Sequence, residues 1–248
     1  VPEPTAHTLE TELRAMTAWW REAGVDCDFA DTPTNWLAEP EDDTAEEARP
    51  ANAPAPAPVE APIELVAGGP ANWPTTLEAF DAWWLAEPSL AIGARARVAP
   101  RGPADAPLMV LVCEPEAEDG AALLSGPQGA LLANILAAFG LAPDEARIAA
   151  LLPSCVPHPD WAALDRVGWG ALTRHHLALA APRRLLVLGP GALPLLGHDP
   201  AQDSADFRQV AHEGGVVPAL CAPDLDTLLH RPRAKARLWH RWLEWTDG

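Results

Sequence analysis

Hydrophobic positions fall into two patterns along this chain. Between residues 8 and 24 apolar side chains recur at Leu9, Leu13, Met16, Trp20 and Ala23. That spacing predicts an amphipathic helix, with Thr8 as its cap and Gly24 as its end. A second helix is predicted from Thr75 or Thr76 to about Ala86, and others over 127–141, 168–182 and 231–245, with a short one over 190–197. Four unbroken apolar runs are too short for helices: APLMVLVC (106–113), EARIAALLP (145–153), RRLLVLG (183–189) and GVVPALC (215–221). Runs of this length bounded by turn residues read as strands buried on both faces. Strands alternating with helices predict a three-layer α/β/α domain around a mostly parallel sheet, whose sites lie beyond the carboxyl ends of the strands.

Residues 38–71 interrupt the pattern with alanine, proline and acids. Such a segment buries too little to offset its chain entropy and is expected to be a flexible linker. The expected organisation is therefore an N-terminal helical segment (1–37) docking on the body, a linker (38–71) and the α/β/α domain (72–248).

Charge changes the picture. The net charge is −18, of which residues 1–70 carry −12. Affinity for phosphate backbones comes from cations that release counterions, so tight non-specific binding to nucleic acid is not expected. No run approaches the length of a membrane span, and the acidic N-terminal region lacks a signal-like stretch, so a cytoplasmic protein is expected. The cysteines, Cys27, Cys113, Cys155 and Cys221, are widely spaced and show no metal-ligand pairing. No metal site is expected.

Candidate chemistry gathers after the first strand, where Glu114, Glu116, Glu118 and Asp119 fall within six residues. They read either as carboxylates acting on water or a metal, or as a solvated loop. His158 with Cys155 suggests a nucleophile pair without an evident orienting acid. Of the adjacent His175 and His176, one is expected to pack and the other to be solvated. Arg231, Arg233 and Lys235 open the closing helix and are candidates for phosphate contact; they serve equally as a cationic answer to acidic surfaces.

Three segments in order, GPQGALLANILAAFGL, APRRLLVLG and APDLDTLLHRPRAKARLW, resemble the family 4 uracil-DNA glycosylases, the iron–sulfur members of that superfamily. The resemblance runs from about Thr76 to Trp242. It implies that Glu114 keeps the position of the catalytic carboxylate and that Gly126, Gly129 and Pro223 lie at the substrate. It also implies losses. The uracil-stacking Phe falls near Leu124, the uracil-reading Asn at Ala150, and the leaving-group His at Ala222. Of the four cluster cysteines only Cys155 lies near a ligand position, with Trp83, Trp84 and Trp169 placed to fill the volume. The expectation is a degenerate member without uracil excision and without its iron–sulfur cluster, acting as a protein-binding or DNA-repair accessory module. A protein partner is expected, DNA binding is weak, and a homodimer is left open. The alternative is an active glycosylase of altered base specificity that uses Glu114.

Overall fold

The computed structural model describes residues 9–22, 64–93, 95–197 and 207–246. The chain divides into two units, Val1–Val59 and Glu60–Gly248. In the first, α1 (Leu9–Glu22) follows the predicted stripe. Leu9, Leu13, Met16 and Trp20 are all exposed, and Trp19 meets Trp20 edge to face at 4.8 Å. The expected linker lies outside the described residues as far as residue 63.

The second unit begins earlier than expected. Val66 is buried and its N–H donates to the Val167 carbonyl at 2.8 Å, so the last residues assigned to the linker belong to the folded body. Helix α2 (Leu77–Ala86) starts where the Thr76 hydroxyl accepts the Ala79 N–H and ends ahead of Pro88. Strands β1 (Leu108–Val112), β2 (Ala146–Ala150) and β3 (Leu185–Leu188) are buried at every position. Helix α3 (Pro127–Ala138) takes proline in its first turn and ends at Gly140, with the Leu141 N–H reaching back to the Leu136 carbonyl.

The predicted helix over 168–182 is α5 (Trp169–Ala180), preceded by a short α4 (Trp161–Arg166) that Asp160 caps. Two 3-10 turns replace the helix expected over 190–197. Strand β4 (Phe207–His212) was not anticipated; it forms a hairpin with β5 (Gly215–Ala222). The predicted closing helix over 231–245 is α7 (Pro232–Thr246), and a short α6 (Leu225–His230), capped by Asp224 and outside the predicted elements, precedes it.

The strands form one sheet in the order β2-β1-β3-β5-β4, with four parallel and β4 antiparallel at the edge. The architecture is α/β, as expected. Alternation along each strand sends side chains to two cores. Met109, Leu111, Leu185 and Val187 pack with Phe80 and Trp84 of α2 and with Trp169 and Leu177 of α5. Leu108, Val110, Ile148, Leu186 and Leu220 pack with Leu132 of α3, Leu228 of α6 and Trp242 of α7. Each fully buried large side chain contributes about 1.5–3 kcal/mol, so the sheet is held from both sides.

Both members of the His175–His176 pair are buried, which corrects the expectation that one is solvated. His175 lies 2.7 Å from the Pro74 carbonyl oxygen through Nε2 and 3.3 Å from Glu213 through Nδ1. His176 Nε2 accepts from the buried Arg147, whose Nε is 3.2 Å away and whose Nη2 is 2.9 Å away. That acceptance leaves the ring proton on Nδ1.

Candidate functional site

The carboxyl ends of β1, β2, β3 and β5 open toward one end of the sheet. The loops that follow them form a cleft of about 590 Å³ lined by Cys113, Glu114, His158, Trp161, Gly191 and Asp224, among others. Trp161 comes from the first turn of α4 and lies close over Gly191; a Cβ at Gly191 would sit 2.5 Å from the indole nitrogen. His158 enters the cleft from a backbone with φ of 52°.

Three of the four acids are held by backbone donors and point to different partners, so the cluster does not act as a group. Glu114 Oε2 accepts the Val156 N–H at 2.8 Å and ties the β1 loop to the β2 loop, while the residue still lines the cleft. Glu116 turns away from the cleft. Its carboxylate accepts the N–H groups of Gly126 at 2.9 Å, Gln128 at 2.9 Å and Gly129 at 3.3 Å. These are the otherwise unsatisfied donors of the α3 N-terminus, and an anion is favoured there by the helix dipole. Asp119 accepts the N–H groups of Glu116 at 2.9 Å, Leu124 at 2.7 Å and Ser125 at 2.7 Å, and the Ser125 hydroxyl at 2.6 Å. Glu118 is exposed.

Burial pushes the Asp119 carboxyl up, but the hydroxyl and amide donors outweigh it and hold the group below its ordinary value. The stability it contributes is therefore present above the unfolded value of about 3.9 and is lost as pH falls through the lower folded value. Asp119→Ala leaves three buried or half-buried amides without an acceptor and is expected to cost about 2–3 kcal/mol. Urea unfolding at neutral pH measures that loss, and the difference from the parent protein should shrink in strong acid.

Asp224 also serves structure first. Its two oxygens take the Thr227 N–H at 2.7 Å and hydroxyl at 3.0 Å as the cap of α6. Cys155 lies outside the cleft lining, and its thiol is pushed up by burial and then by the Glu114 charge. A thiol held protonated is a poor nucleophile, so the geometry gives no support to a Cys155–His158 pair. Among the described residues no group of three His, Cys, Asp or Glu side chains is arranged to hold a metal ion.

The residues singled out from sequence do not form one site. Glu114 is in the cleft. Gly126 and Gly129 are not among its lining residues, and their N–H groups are engaged by Glu116. The glycines instead make room: a Cβ at Gly129 would fall 1.8 Å from the Leu124 carbonyl oxygen. Pro223 borders a neighbouring pocket. Arg231 and Arg233 are exposed at the start of α7, and Lys235 lies along a groove between α3 and α7. The sequence reading missed Asp224 and Trp161 of the cleft lining. The signal for Asp224 was present in Pro-Asp-Leu-Asp-Thr, an N-cap ahead of an apolar run.

Neither the protein-family models nor the curated proteins compared with this chain give a match. Among the described residues no helix is long and apolar enough to cross a membrane.

Proposed function

We propose that this chain is a uracil-DNA glycosylase-like scaffold that no longer excises uracil and serves as a protein-binding or DNA-repair accessory module. One observation carries the loss of excision. Leu124 and Ala150, which correspond by resemblance to the uracil-stacking Phe and the uracil-reading Asn, are each 4% exposed and pack in the same core cluster. A flipped base needs an open pocket with polar readers, and this volume is filled by apolar side chains. Ala222, at the position of the leaving-group His, ends β5 opposite Leu188 and has no donor to offer. Each missing donor corresponds to roughly 10²–10³ in rate, so the two together leave no practical activity.

The iron–sulfur cluster that the resemblance implies does not fit these residues. Of the ligand positions only Cys155 offers a thiol, and a cluster needs about four. Trp84 and Trp169, near positions at which the resemblance puts lost ligands, are both buried and meet edge to face at 6.1 Å. The exposed stripe of α1, through Leu13, Met16 and Trp20, is the surface we propose for a protein contact. The start of α7 offers Arg231, Arg233 and Lys235 for weak contact with phosphates.

A glycosylase assay tests the reading. The full chain is incubated with strands carrying uracil, hypoxanthine or an alkylated base, and abasic sites are cleaved with alkali. No cleavage above background is expected. Cleavage of any of these strands that disappears in Glu114→Gln would replace this proposal with the alternative, an active glycosylase of altered specificity.

A further inference from the structure

A groove of about 270 Å³ runs between α3 and α7, on the face of the sheet opposite α2 and α5. Leu131, Ile135 and Phe139 form one wall, and Leu238 and Trp239 the other. Lys235 is the one charged residue in the lining. Trp239 is 39% exposed; Phe139 lies against it at 6.3 Å and is stacked on the buried Trp242 at 3.8 Å. A large aromatic side chain thus stands beside a hollow with a packed floor. The charge pattern sets this face apart. Charged residues make up 21% of the chain, yet none lies between Asp119 and Asp144. Ala130, Ala133, Asn134, Ala137 and Ala138 are all exposed on α3. A surface helix ordinarily turns charged residues outward, and one that is apolar all round is ordinarily covered on both sides.

We propose that the α3–α7 face pairs with the same face of a second copy of this chain. Two chains that each carry a net charge of −18 repel wherever their charged surfaces meet, so a face without acids is where copies approach at least cost. A partner of opposite charge would be drawn to acidic surface instead. A two-fold contact also needs a surface that fits itself. Here the Trp239 ring is the projection and the groove beside it is the hollow, so each copy supplies both. A tryptophan in apolar surroundings is the residue type that most often carries the binding energy of such a contact. The twelve residues of α3 make the face about 18 Å long, and it is two helices wide. That is at the low end for a specific interface, so the dimer is weak and dissociates on dilution. This inference rests neither on the loss of base excision nor on the α1 stripe.

Sedimentation velocity of the full chain over a concentration series tests it. A reversible monomer–dimer equilibrium is expected. It should be tighter in about 1 M NaCl than in about 0.1 M, because salt screens the repulsion between the chains and leaves apolar contact intact. Asn134→Glu should weaken dimerisation about tenfold or more, since it sets an acid on each copy of the face, and Trp239→Ser should do the same by removing the projection. Glutamate is a better helix former than asparagine and position 134 is exposed, so the fold is kept; Trp239→Ser decides the matter if Asn134→Glu loses the parent circular dichroism. Ala82→Glu, the same charge at an exposed position of α2, should leave the equilibrium unchanged. A chain that stays monomeric up to about 1 mM overturns the proposal. Protection of Trp239 from hydroxyl-radical footprinting in that monomer would assign the groove to another segment of the same chain. A dimer that survives Asn134→Glu and Trp239→Ser but is lost in Leu13→Glu also overturns it, and places the contact on α1.

Discussion

Arg147→Met is expected to cost the fold about 3 kcal/mol, enough to be plain in a urea titration. Arg147 lies on β2, at one end of the sheet order, and is nonetheless 0% exposed. Its guanidinium holds three elements together. Nη1 donates to the Gly102 carbonyl at 2.8 Å, Nη2 to Asp81 of α2 at 2.5 Å, and the His176 ring of α5 accepts as well. Removing one partner of a buried pair typically costs about 3–5 kcal/mol because the other charge is left behind. The lower figure applies here, since the Asp81 side chain is 29% exposed and water can reach it. Burial already pushes the Asp81 carboxyl up, against the pull of Arg147, so without the arginine it accepts a proton more readily still. Adding Asp81→Asn to Arg147→Met should therefore recover a good part of the loss. A double variant no more stable than the single one would show that Arg147 acts through packing alone.

The same cluster predicts a pH dependence. Burial, and then the charges of Arg147 and His175, hold His176 well below its ordinary value. Phe80 stacks on its ring at 4.5 Å and admits no counter-ion from that side. Below about pH 6.5 the unfolded chain binds a proton at this residue that the folded chain refuses. Stability contributed by the neutral ring thus falls as pH drops below that point, by up to about 1.4 kcal/mol per pH unit. His176→Phe should flatten this part of the stability profile.

Much of the architecture was written in the apolar pattern, and the failures have physical causes. Strands β1, β2 and β3 are buried at every position and stand out as apolar runs, and β5 stands out through its buried Val217, Ala219 and Leu220. Edge strand β4 buries only Val210, which leaves no run to see; its one signal was the Glu-Gly-Gly turn of a hairpin. Arg147 looked like a break in an apolar strand, because no local pattern reveals that Asp81 and His176, both distant in sequence, will meet it. The acids after β1 suggested chemistry because charge is visible in sequence and hydrogen-bond partners are not. Glu116 and Asp119 satisfy backbone donors that exist only once α3 and its approach have folded. Glu114 alone among these acids lines the cleft.

Gly129→Ala is expected to lower stability by about 3 kcal/mol, although alanine is the better helix former by roughly 1 kcal/mol. The reason is the backbone behind it. The added Cβ would fall 1.8 Å from the Leu124 carbonyl oxygen and 2.6 Å from its carbon. Overpacking costs typically about 1–3 kcal/mol where side chains can yield. Here the obstacle is main chain, and it is pinned: Leu124 has φ of 54°, and its N–H is held by Asp119 at 2.7 Å. Moving the carbonyl away would pull on that bond and on the Glu116 carboxylate at the α3 N-terminus. Gly126→Ala should cost less, because its Cβ would meet the end of the Glu116 side chain, which can turn. Gly120→Ala, in the same loop with nothing within 4 Å, should be neutral or slightly stabilising. For a domain of this size a loss of 3 kcal/mol lowers the melting temperature by about 6–12 °C. If Gly129→Ala melts with Gly120→Ala, the Gly-Pro-Gln-Gly segment is not a packing device. A glycine kept for the approach of a ligand would leave melting unchanged and alter binding instead.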